Sequence, residues 1–234
     1  MTAKIPDKKS NVQDIQTFIG RVNKTPLITG TDKGRLIFAM DATASREHCW
    51  DMASHQHAAM FAEADKVSAL SMQLCYYRGF GEFKALPWTH SADEIKQALL
   101  SVHCLSGKTQ IAKVLSHALS ETHASKVNAL VFVGDCVEEN PASLEALAGQ
   151  LGILNLPLFI FQEGKDASVG SIFSQLATLS GGAHCQFDQG SAKQLGLLLA
   201  AVAVYATGGK SALNSNLLSK DASVQKLLKQ LTPS

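Results

Sequence analysis

Short apolar runs alternate along this chain with longer stretches of helical periodicity. Residues 36–40 (LIFAM), 67–77, 128–133 (NALVFV), 157–161 (PLFIF) and 183–187 read as strands. Where the run is continuous rather than alternating, it suits a strand covered on both faces. The stretches 46–65, 91–105, 109–122, 141–151, 168–179 and 191–207 read as helices. Ser91 followed by Glu94 has the spacing of a capping box. Pro141 suits a first helical turn, Ser180-Gly181-Gly182 a helix end, and Gly208-Gly209 ends the last core helix. Gly79 and Gly81 mark a tight turn into a further strand over 82–88. A turn that short forces antiparallel pairing, because a parallel return needs a crossover.

Alternation of this kind predicts an α/β fold. It is doubly wound, with a mostly parallel central sheet, one antiparallel edge strand and helices on both faces. Residues 1–33 read as a tail with a short helix over 12–22, stopped by Pro26, and an edge strand at 26–28. Residues 34–207 make the domain, and 208–234 a polar tail. Leu217, Leu218, Val224, Leu227, Leu228 and Leu231 give that tail an amphipathic patch, a helix that docks back or meets a partner.

Composition narrows the function. Among 234 residues, 21 Lys and Arg offset 20 Asp and Glu, so nothing points to nucleic acid or an anionic membrane. Five cysteines, widely spaced and without a CxxC, read as reduced, buried thiols of a cytoplasmic protein. The first residues lack the apolar core of a secretory signal. The longest apolar run, 195–206, is short of the roughly 20 residues that span a bilayer.

The strongest chemical signal follows the first strand. Asp41-Ala42-Thr43-Ala44-Ser45 offers a carboxylate and two hydroxyls at alternate positions. Convergent oxygen donors at a strand end suit a hard cation. Ligands of such sheets bind at the carboxyl ends of the strands. Asp135 follows another buried strand and so stands at the same end, within reach of the loop before Thr109. The plainer alternative is that Asp41, Thr43 and Ser45 cap the helix beginning near Arg46.

Three separated motifs in this order resemble a known family. Asp41-x-Thr43-x-Ser45, Thr109 in Ser106-Gly107-Lys108-Thr109, and Asp135 in Val133-Gly134-Asp135 look like the metal-ion-dependent adhesion site of von Willebrand factor type A domains. The resemblance covers residues 34–207 and includes the antiparallel third strand. It departs at Thr43, where Ser is common, and at Cys136, where Gly usually follows the last Asp. The resemblance implies a Mg²⁺ site (or Mn²⁺ or Ca²⁺) with Thr43 and Ser45 as direct ligands. Thr109, Asp41 and Asp135 would bind directly or through water. An open coordination position would take an Asp or Glu carboxylate from a partner protein. The implied protein is a stand-alone, non-enzymatic adaptor of bacterial type, with an ATPase complex among its possible partners.

Rival readings use the same residues. LIFAMDATAS also resembles the start of a haloacid-dehalogenase-like phosphatase with Asp41 as nucleophile. Thr43 then stands where a general acid is usual, and Lys108, Asp135, Glu138 and Glu139 are left for the remaining roles. A metal-free scaffold is the third reading. Gly107-Lys108-Thr109 copies the end of a phosphate loop, but Val102 replaces its first Gly and a helix precedes it. Gly79-Phe80-Gly81 lacks the third Gly of a dinucleotide fingerprint. His48, His55 and His57 crowd one helix without a Cys or carboxylate at ligand spacing. His184-Cys185 reads as a strand pair, Tyr76 and Tyr77 as alternating sheet residues, and Trp50 and Trp88 as core or rim.

Overall fold

Strand β1, Arg35–Asp41, is fully buried from Leu36 onward. Its continuous apolar run has a direct cause. Leu36, Phe38 and Met40 enter the core on one face of the sheet, while Ile37 and Ala39 enter the core on the other. Each such large side chain contributes roughly 1.5–3 kcal/mol by leaving water. This computed structural model describes residues 34–46, 70–187 and 192–231.

The sheet has six strands in the order β3-β2-β1-β4-β5-β6. They are β2 (Ser71–Arg78), β3 (Glu82–Ala85), β4 (Ala129–Gly134), β5 (Leu158–Glu163) and β6 (Ala183–Phe187), around the central β1. All neighbours pair in parallel except β3, which runs antiparallel to β2 at one edge. Register aligns Asp41 with Tyr77 and Met40 with Val133, so the carboxyl ends of β1, β2 and β4 lie together.

Helices cover both faces. On one side α2 (Ile111–Ala124), α3 (Pro141–Ile153) and α4 (Ala167–Ser180) bury residues such as Val114, Leu144 and Phe173. On the other are α1 (Ala92–Ser101), α5 (Ala192–Ser215) and α6 (Ala222–Gln230), burying Leu99, Val202 and Leu227. Tyr76 and Tyr77 point into opposite cores, as strand alternation requires.

Several boundaries differ from the expectation. Strand β3 ends at Ala85 rather than continuing to 88. Leu86 N still donates to Leu74 O, but Pro87 has no N–H to give the ladder, and the chain then meets β2 at the isolated Met72–Thr89 bridge. Helix α1 ends at Ser101, not 105, because Val102 is extended and the chain turns away into the loop that carries Thr109. Its capping box is half formed. Ser91 Oγ accepts from Glu94 N at 3.2 Å, whereas the Glu94 carboxylate takes the Thr89 hydroxyl at 2.6 Å. Gly209, at φ 66° and ψ −166°, breaks α5 as its position suggested, yet helical turns resume to Ser215 and bury Leu213.

The tail docks back. A 3₁₀ turn, Leu217–Lys220, leads to α6, whose Val224 and Leu227 are fully buried. Gln230 Oε1 accepts from His184 N at 2.7 Å, and its Nε2 donates to His184 O at 2.8 Å. At the opposite end of the sheet from the strand carboxyl termini, Arg35 lies over the Trp88 ring at 3.8 Å. Glu121 accepts from both Arg35 and Trp88 Nε1. The stretch Gly196–Asn214, longer than the apolar run read from sequence, is long and apolar enough to cross a membrane, but 56% of it is buried within the protein. The expected helix at 12–22, the strand at 26–28, and most of the helix at 46–65, with His48, Cys49, Trp50, His55 and His57, lie outside the described residues.

Candidate functional site

Asp41 is the last residue of β1 and has no exposed surface. Oδ1 accepts from Thr43 N at 2.7 Å, closing a turn of the kind short carboxylates favour. Oδ2 accepts from the Tyr77 hydroxyl at 2.9 Å. The turn then enters the 3₁₀ segment Ala44–Arg46, which carries Ser45 at the surface. Thr43 Oγ1 and Ser45 Oγ are 3.1 Å apart, and Ser45 Oγ donates to Asp135 Oδ1 at 3.4 Å, long for such a bond. A hydroxyl has one proton. Since Ser45 gives its proton toward Asp135, Thr43 is the donor to Ser45. Both lone pairs of Thr43 and one of Ser45 are left for another partner.

Thus Asp41, Thr43, Ser45 and Asp135 form one connected group across the ends of β1 and β4. Thr109 is on the adjoining loop and is bonded to other residues. Its hydroxyl donates to Glu139 Oε2 at 2.7 Å and accepts from Glu138 N at 2.9 Å, and its own N–H donates to Glu138 Oε2 at 2.9 Å. Again a hydroxyl proton is directed to a carboxylate and one lone pair is spare.

Local sequence reasoning overlooks the bond of Tyr77 to Asp41 and those of Glu139 to Thr109 and Ala112. Burial, then the Asp41 charge, holds the Tyr77 phenol well above its ordinary pKa, so Tyr77 acts as a neutral donor. Glu139 has a second task. Helix α2 begins at Gln110 without a side-chain cap and has no acid in its first turn. Glu139 Oε1 accepts from Ala112 N at 2.8 Å and supplies that cap from the next loop. Cys136, where glycine was expected, sits beside Asp135 with its thiol pKa pushed up by burial and then by that carboxylate.

The loop from 103 to 110 is fastened to the strand ends. Leu105 N donates to Ala42 O at 3.1 Å, and Gly79 N donates to Leu105 O at 3.4 Å. Lys108 N donates to Gly79 O, and Gln110 Nε2 to the carbonyls of Arg78 and Gly79. A Cβ on Gly107 would run into the Gly79 carbonyl, so the two segments touch only because Gly107 has no side chain.

Among the described residues no three His, Cys, Asp or Glu side chains converge as a metal-binding group. A cation here must therefore be held in part by hydroxyls. The donors fit that demand for a small hard ion. They are all oxygens, and the protons of Ser45 and Thr109 face carboxylates rather than the space between the loops.

No family model and no curated protein matches this sequence. Solved structures do match its fold. A von Willebrand factor type A protein from Catenulispora acidiphila superposes with a TM-score of 0.61 at 15% identity, over 75% of this chain and 43% of that one. The chain therefore spans less than half of that protein's length. An aerotolerance-related membrane protein from Bacteroides fragilis gives 0.57 at 13% identity, over 71% of this chain and 96% of that one. The SpRpn10 VWA domain gives 0.56 at 9% identity, over 69% of this chain and 94% of that one. With its parallel sheet, its antiparallel edge strand β3 and these structural neighbours, the chain has the von Willebrand factor type A fold.

Proposed function

We propose that this chain is a protein-binding module. It captures an Asp or Glu side chain of a partner through a Mg²⁺ or Mn²⁺ ion held at the carboxyl ends of β1 and β4. The observation that carries the reading is the Thr43–Ser45–Asp135 hydrogen-bond chain beside buried Asp41. Asp41, Thr43, Ser45 and Asp135 would hold the ion, with Thr109 on the neighbouring loop. When bound, it supplies a Lewis-acidic position for a carboxylate.

This chain's own residues prepare the site. Tyr77 and the Thr43 N–H fix the Asp41 carboxylate from two sides. Asp135 and Glu139 take the hydroxyl protons of Ser45 and Thr109, which turns the oxygens' lone pairs outward. Neutral hydroxyls outnumber carboxylates among these donors, so part of the cation's charge remains for an anionic partner. A phosphatase role for Asp41 is the weaker reading. The general acid that such chemistry usually places two residues after the nucleophile is replaced here by Thr43. A VWA domain occurs in SpRpn10 and the fold recurs in the human COPII-coat protein Sec24c, which is in keeping with a protein-binding role. The partner class that the family resemblance adds is an ATPase complex. The free thiols Cys75, Cys104, Cys136 and Cys185 suit a reducing, cytoplasmic setting.

The test is titration of Mg²⁺ and Mn²⁺ by calorimetry and thermal shift on the native chain, Ser45→Ala and Asp41→Ala. A metal bound only by the folded state stabilises it by about 2.7 kcal/mol at 100 times its Kd. The expected result is a rise in Tm for the native chain that is reduced in Ser45→Ala and absent in Asp41→Ala. Ser45 is exposed, so its variant folds even if Asp41→Ala does not. No heat and no shift in the folded native chain would overturn the metal reading and leave a metal-free scaffold.

A further inference from the structure

Strand β6 lies at an edge of the sheet, so half of its backbone groups face away from β5. Successive residues of a parallel strand direct their N–H and C=O to alternate sides. Phe187 O accepts from Gly164 N on the β5 side. His184 faces the other way, and Gln230 holds both its N–H and its C=O. Gln186, two residues on, shares that outward direction. It is exposed, and among the described residues its backbone N–H and C=O have no partner.

Gln186 also lines a cavity of ≈ 390 Å³ between β6 and α6. Small-ligand sites have volumes of about 300–1,000 Å³. Cys185, Phe187 and the fully buried Leu198 give the cavity an apolar wall, and Lys165 and Lys226 line it as well. Lys226 acts on that wall: burial pushes the Cys185 thiol up to about 11, and the ammonium pulls it the other way. Among the described residues no acid lines the cavity. Glu163, in register with Phe187, is buried outside it. Asp166 and Asp221 cap α4 and α6, each accepting N–H groups of its own helix. Asp188 lies outside the described residues.

We propose that this cavity receives the carboxyl-terminal end of an extended segment of a partner protein. The segment pairs with the outward N–H and C=O of Gln186, and its terminal carboxylate meets Lys226. Strand addition of this kind takes affinity from main-chain bonds and specificity from a side-chain pocket. Gln230 already fills the neighbouring position at His184, so an added chain must end in the cavity. Lys226 is one turn before Gln230 on α6, which puts the carboxylate at that end and runs the segment antiparallel to β6. An amino terminus would bring a cation against two lysines. The final side chain rests on Cys185, Phe187 and Leu198 and is therefore apolar. The site lies three strands from β1 and does not depend on the metal reading.

The probe is a phage-displayed library of short random peptides with free carboxyl ends, selected on the immobilised full chain in chelator. Enriched sequences are synthesised as free acids and as carboxyl-terminal amides, then titrated against the native chain and Lys226→Glu. Hydrogen exchange at Gln186 N is followed with and without peptide. The expected outcome is enrichment of peptides that end in an apolar residue. Their affinity falls by about tenfold or more on amidation and in Lys226→Glu. Lys226 is exposed, so the Tm of that variant is unchanged. Exchange at Gln186 N slows in the complex. Equal binding of acid and amide, normal binding by Lys226→Glu, or unchanged exchange at Gln186 overturns the proposal. So does failure to enrich any peptide.

Discussion

The Tyr77 hydroxyl donates to Asp41 Oδ2 over 2.9 Å, in a position with no exposed surface for either residue. The bond joins the ends of two adjacent strands and fixes the acid at the centre of the candidate site. Tyr77→Phe removes the donor and leaves a buried carboxylate oxygen less satisfied, so the variant loses about 1–3 kcal/mol in urea unfolding. The pH dependence follows from the sign of the shift. The folded chain holds the Tyr77 proton more tightly than the unfolded chain does. That contribution is complete below the ordinary tyrosine pKa of about 10 and is lost as pH rises above it. Between pH 8 and 11, Tm therefore falls less steeply in Tyr77→Phe than in the native chain. Parallel curves would show that Tyr77 ionises freely.

Glu139 caps a helix that has no cap of its own. Glu139→Ala exposes the first turn of α2 and frees the Thr109 hydroxyl, at a cost of about 1–2 kcal/mol. Glu139→Gln keeps an acceptor and costs less. Hydrogen exchange at Ala112 N reads the effect directly and should quicken in the Ala variant. An unchanged rate would assign the capping to another group.

Gly107→Ala forces a methyl group against the Gly79 carbonyl, so the Thr109 loop and the Phe80 turn must move apart. Overpacking of this kind costs about 1–3 kcal/mol. Because the same loop bears Thr109, metal affinity should fall along with Tm. A drop in Tm alone would show that the loop position does not matter to the ion.

His184 donates toward Gln162 Oε1 at 2.9 Å, and burial holds its pKa below the ordinary histidine value. The unfolded chain takes up this proton first, so the contribution is complete above about pH 6.5 and is lost as pH falls through the folded value. His184→Gln keeps a donor for Gln162 and removes the titration. Its Tm should decline less between pH 7 and 5 than that of the native chain.

The strands were legible because a continuous apolar run has few other uses in a chain of this size. The Leu36 to Met40 run, which feeds two cores, is the clearest case. The grouping of Asp41, Thr43 and Ser45 is legible because they fall within five consecutive residues of one turn. Tyr77 and Glu139 were not, because they act on Asp41 and Thr109 from 36 and 30 residues away. No local pattern encodes such pairings. The loop after Ser101 was misread as helix for a related reason. Val102 and Leu105 continue an apolar spacing, but backbone bonds to Ala42 and Gly79 outweigh helical propensity there.

The two hydrogen bonds between Gln230 and the backbone of His184 do for the outer side of β6 what one rung of a seventh strand would do. An unpaired strand edge is a template on which another chain can grow. Here the template is blanked at one position by a single amide from α6. The side chain that occupies this edge position comes from a helix 46 residues further along the sequence than the strand it covers.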